Sequence, residues 1–500
     1  MRPGHSIILL SLALAGAGRA GEGETLPRPV LVPGTVVRLS QADPSGYRTL
    51  REGDPGPGLL LTFPPLETTA TADPAIRLAG RTEPGSRVLI NGETVKLYPT
   101  GSFAALVPLA EGENSIAVTA AAGGARTTCK LEIRRERVSP LRVPGDRAGF
   151  GPPRPGRVTA GTAPVRSLPA GPRMLTAPGG TVLPVTGREG DWFRADLGGG
   201  RSGWIAAGDL ELEEGAPPPP AAVGSPGFDP EKSEAWFPLS VPVPARVDYL
   251  GPEEVDLVFY RAEVGSDTVD LGEWEGICLP RPSGEGTALY RLRGGLDCHR
   301  WSLEWLPGGY RFRWRGRPRR GGGPVCLDPG HGGEQRGAVS PGGVAEKDAN
   351  LALARAVAAE LEKSGVEAFL TREGDRTLEL ADRTRIARER GAGVFVSLHH
   401  NSVGAGRDPL AGSGYTIFYY HPPGRELAGE IHRALKAAGR EGTGVRRRSL
   451  AVIRPPDLVA ALVETAYLSH PENEAEILDP AVREANARAV ARGILAYLDR

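Results

Sequence analysis

Apolar positions in the last third of the chain alternate between two periods. Leu351, Ala354, Val357, Ala358 and Leu361 repeat at helical spacing. Val366 to Leu370 then reads as a strand. Val394 to Leu398 is a short continuous apolar run, the pattern of a strand covered on both faces. Tyr415 to Tyr420 is a further strand. Leu427, Ile431 and Leu435 mark one helix, and Val490, Ile494 and Leu498 mark the last. Strands alternating with helices predict a three-layer α/β domain over residues 322–500.

Upstream the pattern changes to short strands broken by tight turns. Residues 66–135 hold Arg77-Leu78-Ala79-Gly80, Gly85-Ser86-Arg87-Val88, Asn91-Gly92 and Gly101-Ser102-Phe103, which predict a small β-sandwich. Residues 156–213 hold Ala163-Pro164-Val165-Arg166, Gly190-Asp191-Trp192 and Gly203-Trp204-Ile205, a second β module. Pro217 to Pro220 make residues 214–233 a stiff linker. Residues 234–318 form a third β-rich region with Trp236, Trp274, Trp301, Trp305 and Trp314. Its family is not legible, and its closing run of Arg313, Arg315, Arg317, Arg319 and Arg320 reads as a solvated linker, with contact to an acidic polymer as the alternative. Residues 21–65 carry no assignment. The predicted architecture is multidomain, with all-β modules preceding a C-terminal α/β domain.

The start of the chain sets the compartment. Arg2 and His5 precede the apolar run Ile7 to Ala15, and small residues follow, so residues 1–20 read as a secretory signal peptide. The run is short of the roughly 20 residues that span a bilayer, and no Cys near the cleavage point offers a lipid anchor. The expected location is the periplasm, the cell envelope or the outside. Five hundred residues exceed one core. Lys plus Arg and Asp plus Glu are 60 each, so net charge points to no partner, and no nucleic-acid motif occurs. Cys278 and Cys298 lie in one β region of an exported chain, which predicts a disulfide.

The candidate chemistry lies in the α/β domain. The apolar strand Val325-Cys326-Leu327-Asp328 runs into the turn Pro329-Gly330-His331-Gly332-Gly333. Glu346 follows, then His399 at one strand end and Glu464 within the apolar run of another. Two imidazoles, one carboxylate and a spare carboxylate are the parts of a hydrolytic zinc site. Each has a bland alternative: a turn histidine, a glutamate complementing a helix dipole, an ordinary strand end. Glu464 resists that reading, because a carboxylate in an apolar run is costly to bury unless paired or employed. Taken together at strand ends, where α/β sheets collect their ligands, the four favour a functional reading.

From Val325 to Tyr497 the chain resembles the zinc-dependent N-acetylmuramoyl-L-alanine amidases, the third type of cell-wall amidase. The matching motifs are Asp328-Pro329-Gly330-His331-Gly332-Gly333, Glu346-Lys347-Asp348-Ala349-Asn350-Leu351, Ser397-Leu398-His399-His400-Asn401 and Glu464-Thr465-Ala466-Tyr467-Leu468-Ser469. Thr371-Arg372, Asp375, Leu380 and Arg383 also fall in the family pattern. Three positions depart from it: His400, where a small residue is usual, Arg388, and His470, which is expected at the surface. The resemblance implies Zn2+ held by His331, Glu346 and His399, with Glu464 as general base and Arg383 and Asn401 in support. It implies peptidoglycan as partner and cleavage of the amide between N-acetylmuramic acid and L-alanine of the stem peptide. Two alternatives stay open: a zinc peptidase acting within the stem peptide, and a non-catalytic cell-wall-binding protein. Every expected ligand lies in residues 322–500, so the modules are expected to serve attachment. Residues 66–135 resemble immunoglobulin-like modules of bacterial surface enzymes. Residues 156–213 resemble a bacterial SH3-like domain, in which Trp192 and Trp204 line a peptide groove or fill the core.

Overall fold

The computed structural model describes residues 48–50, 56–64, 68–136, 148–265, 278–281, 286–294 and 296–500. The expected signal peptide and Trp274 lie outside the described residues.

The C-terminal domain is a six-stranded sheet between two helical layers. Its elements are β1 Val325–Pro329, α1 Glu346–Lys363, β2 Ala368–Leu370, α2 Leu380–Glu389, β3 Val394–Asn401, β4 Tyr415–Tyr419, α3 Pro422–Ala437, β5 Gly442–Arg447, β6 Val459–Tyr467, α4 Pro471–Leu478 and α5 Pro480–Leu498. The strand order is β2-β1-β3-β6-β4-β5. Strands β2, β1, β3 and β6 run parallel, and β4 is antiparallel to β6. Leu353, Val357 and Leu361 of α1, Leu427 and Ile431 of α3 and Val490 and Ile494 of α5 pack on one face of the sheet, with Val325, Val396 and Val463. Cys326, Phe395 and Leu462 point to the other face, against Ala387 of α2 and Val452. That two-sided burial is why β1, β3 and β6 read as unbroken apolar runs. Register places Asp328 beside Ser397 and His399 beside Glu464.

Residues 48–50 and 59–135 supply the strands of a sandwich of a four-stranded and a five-stranded sheet. In Ala125–Arg135 alternate residues Cys129, Leu131 and Ile133 turn into its core. The apolar strand Leu59–Phe63 belongs to the sandwich, which therefore starts before residue 66. The strands of residues 148–212 and most of those of residues 245–293 join in one eleven-stranded sheet, bridged by the pair Thr176 and Ala245. Trp192 and Trp204 are half-buried and outside the core of that region.

Three expectations are corrected. Residues 214–233 are more than a linker. Ala221–Val223 pairs with Ala262–Val264 and Gly227–Asp229 pairs with Glu234–Pro238, because both segments follow the prolines and regain their N–H donors. The arginine run is not simply solvated, since Arg313 pairs with Glu234, Arg317 with Glu426 and Arg320 with Asp499. Of the two cysteines expected to pair, Cys298 is a free thiol, and the side chain of Cys278 lies outside the described residues. Cys298 lies in an apolar core, where burial pushes its pKa up to about 12 and disfavours the thiolate that exchange needs. Among the described residues no helix is long and apolar enough to cross a membrane.

The β modules are packed onto the α/β domain rather than hung from it. Arg77 of the sandwich donates to Val403 O at 3.0 Å, and its backbone N–H donates to Ala405 O at 2.8 Å. Thr62 Oγ1 donates to Pro341 O at 3.1 Å. Glu474 of α4 is buried and accepts from Ser102 Oγ, Ser340 Oγ and Gly342 N, each at 2.7 Å. Burial raises its pKa, and those three donors oppose the rise. His470, expected at the surface, is 8% exposed: it caps α4 through Glu472 N and meets the edge of Tyr98 from the sandwich. Ser102→Ala removes one donor from this buried carboxylate. It is expected to destabilise the protein by about 1–3 kcal/mol, measured as a lowered midpoint in denaturant titration with unchanged slope.

Candidate metal centre

The turn after β1 is held in a conformation that most side chains avoid. His331 has φ +62°, and Gly332 and Gly333 are also left-handed. Gly330 is required, because a Cβ there would collide with the His399 imidazole. Beneath the turn, Asp328 is fully buried. It accepts from Thr371 Oγ1 at 2.6 Å, Ser397 Oγ at 2.7 Å and Arg383 Nη1 at 2.9 Å. Arg383 also donates to Pro329 O at 3.0 Å and His331 O at 2.9 Å. Arg372, buried beside it, donates to Pro329 O, Gly330 O and Lys347 O. Two guanidiniums thus satisfy the carbonyls of a turn that can form no ladder of its own. Asp375 accepts from Gly333 N at 2.7 Å and from Lys347 Nζ at 2.5 Å, tying the turn to the first turn of α1.

This frame brings His331, Glu346 and His399 together. Their ligand atoms all lie within 4.8 Å of one another. His331 Nε2 is 3.2 Å from Glu346 Oε2, and His399 Nδ1 is 2.8 Å from Glu346 Oε1. Glu346 opens α1 and is buried, and its Oε2 accepts from Ala338 N at 2.8 Å. Burial alone would raise its pKa, but the hydrogen bonds from His331 and His399 hold it well below the usual carboxylate range. Burial opposes charge on His399, yet Glu346 turns its pKa upward. Two ring nitrogens and a carboxylate within bonding reach of one point suit a divalent metal of the zinc type.

His400 is not part of the cluster. Its ring turns to Asn350, with Nδ1 2.8 Å from Oδ1, and burial lowers its pKa to about 4. Asn350 in turn donates to Gly330 O and Glu346 Oε1, so the pair braces the carboxylate from behind. Asn401 accepts from the next backbone amide, Ser402 N, at 2.8 Å and so shapes the loop after β3. Glu464 stands on β6 beside His399. Its Oε2 is buried with no hydrogen-bond partner. Burial first, and then the Glu346 charge, push its pKa up to about 7, against the opposing pull of His399 and Arg448. An orphaned carboxylate oxygen beside a metal-type donor set is a group free to take a proton.

Sequence reasoning missed Glu474, Ser102 and Arg77. Glu474 looks like any acid in a first helical turn, and its buried partners come from segments far away in the chain.

Residues 325–496 match the N-acetylmuramoyl-L-alanine amidase family. The C-terminal domain of this chain belongs to that family. The chain is 29% identical over 221 residues to the N-acetylmuramoyl-L-alanine amidase AmiA of Salmonella typhimurium, a match covering 35% of this chain and 75% of that protein. It is 31% identical over 228 residues to the N-acetylmuramoyl-L-alanine amidase AmiC of Neisseria meningitidis serogroup B, covering 37% of this chain and 55% of that protein. Among solved structures, the N-acetylmuramoyl-L-alanine amidase AmiC2 of Nostoc punctiforme is 38% identical with a TM-score of 0.34, covering 36% of this chain and 99% of that one.

Proposed function

We propose that this protein is an exported zinc-dependent peptidoglycan hydrolase that cleaves the amide between N-acetylmuramic acid and L-alanine of the stem peptide. The observation that carries the reading is the His331, Glu346 and His399 cluster with the unpartnered Glu464 beside it, inside a domain of the amidase family. His331, Glu346 and His399 would hold Zn2+, which supplies Lewis acidity toward the amide carbonyl and the attacking water. Glu464 takes the proton of that water and passes one to the leaving amine. Its raised pKa suits both halves of that task near neutral pH. Arg383 and Arg372 fix the turn that aims His331, so they position a ligand without touching substrate. The apolar start of the chain and its small-residue cleavage candidates support export to the periplasm, envelope or exterior.

Mass spectrometry of peptidoglycan digested with the purified protein tests the reading. Free stem peptides beginning at L-alanine, with glycan strands left intact, are expected. Cuts within the stem peptide would instead indicate a peptidase, and an unchanged wall with zinc bound would indicate a binding protein.

A further inference from the structure

A cleft of about 1340 Å³ lies where the second and third β regions meet the α/β domain. It is not the metal centre. Strand β6 starts at Val459, just after the cleft residues Arg454 and Pro456, and reaches Glu464 five residues on, roughly 16 Å away at strand rise. Antiparallel β4 agrees, since its end at Tyr419 lies in the cleft opposite Ala461, whereas Thr416 faces Glu464.

We propose that this cleft binds a carboxylate-bearing sugar polymer at a distance from the hydrolytic site. Its charge is one-sided. Arg173, Arg425, Arg447 and Arg454 line it, and among the described residues none of them has a carboxylate within ion-pair distance. The acids that also line it are already paired: Asp248 with Arg246, also on the lining, at 2.7 Å, and Glu304 with Arg311 at 3.0 Å. Arg173 is held below its usual pKa by burial and then by the like charge of Arg454. Gathering guanidiniums this way costs folding energy unless an anion joins them, and their planar forks suit carboxylates. The walls between them are aromatic. Tyr249 stacks on Trp301 with centroids 5.2 Å apart, and Trp305 and Tyr420 are half-buried on the lining. Flat apolar faces beside charged forks match the C–H faces and carboxylates of an acidic glycan. The cleft is also preformed. Trp301 N donates to Pro456 O at 2.9 Å, His421 meets the edge of Trp301, and Arg317 pairs with Glu426 across the same junction.

The polymer has two sources: peptidoglycan, whose stem peptides carry the carboxylates, on the reading given above, or a uronic-acid polysaccharide. The test uses the full chain and the double variant Arg425→Glu/Arg447→Glu, both sites being exposed. Co-sedimentation with peptidoglycan sacculi and affinity for polygalacturonate are measured at two salt concentrations, with neutral dextran as control. The parent is expected to bind an acidic polymer and not dextran, and the variant to bind it on the order of tenfold more weakly. Hydrolysis of a soluble muropeptide should agree between the two within about twofold, as expected of distant sites. Binding to sacculi alone assigns peptidoglycan, binding to polygalacturonate alone assigns the other source, and binding to both assigns the shared chemistry. Equal affinity of parent and variant, or binding to neither polymer, overturns the proposal. A parent that binds but hydrolyses nothing counts against the amidase reading and leaves the cleft standing.

Discussion

Glu464→Gln is expected to lose on the order of 100-fold or more in hydrolysis while keeping its metal, the scale of a removed general base. Glutamine preserves shape and hydrogen-bonding span but cannot accept a proton. The side chain it replaces has an unpartnered buried oxygen, so the substitution breaks no existing hydrogen bond and folding should be unaffected. Glu464 is also absent from the three-residue donor cluster. A fourth protein ligand would close the metal and leave no position for water, as in structural zinc sites. His331→Ala and His399→Ala are expected to behave differently, losing metal and activity together, because each removes a ring nitrogen from the cluster. Metal content and muropeptide hydrolysis measured on all three variants separate the roles. A Glu464→Gln protein that stays active, or that sheds its zinc as the histidine variants do, would show the base assignment to be wrong.

What the sequence disclosed and what it hid follow from the range of the interactions. The α/β layers were legible because β1, β3 and β6 are buried on both faces and their helices carry regular apolar stripes. The gathering of His331, Glu346, His399 and Glu464 was legible because His331 follows a strand, Glu346 opens a helix and His399 lies near the end of a strand, and because Glu464 is a carboxylate in an apolar run. Charge pairing across domains was not. Nothing local distinguishes Arg317 or Arg320 from a solvated arginine, yet Glu426 and Asp499 receive them. His470 misled for the same reason, since the ring that covers it, Tyr98, is more than 300 positions away. Ala221–Val223 finds its strand partner in Ala262–Val264, a pairing set by tertiary context rather than propensity. The disulfide expectation failed at Cys298, a free thiol in an apolar core, because closeness in sequence and an oxidising compartment do not fix the geometry a bridge needs.

Arg383→Ala is expected to be the most destabilising single change at the site, by about 3–5 kcal/mol, the scale of leaving one buried charge without its partner. Both Arg383 and Asp328 are within 1% of full burial, and they are 2.9 Å apart. Without the guanidinium, Asp328 keeps only the neutral hydroxyls of Thr371 and Ser397. The carbonyls of Pro329 and His331 lose their donor as well, which loosens the left-handed turn that aims the first histidine. Metal affinity should therefore fall along with stability. The double variant Arg383→Met/Asp328→Asn removes both charges, keeps the side-chain volumes close and leaves each hydroxyl a partner, the amide oxygen accepting from Thr371 Oγ1 and the amide N–H donating to Ser397 Oγ. It should recover a large part of the lost stability but not the metal affinity, because the turn carbonyls remain without a donor. Denaturant titration gives the first quantity and zinc titration the second. If Arg383→Ala costs under about 1 kcal/mol, the range of an exposed ion pair, the buried pair is not what holds this turn. If the double variant binds zinc as tightly as the parent, the contact of Arg383 with His331 has no part in positioning the ligand.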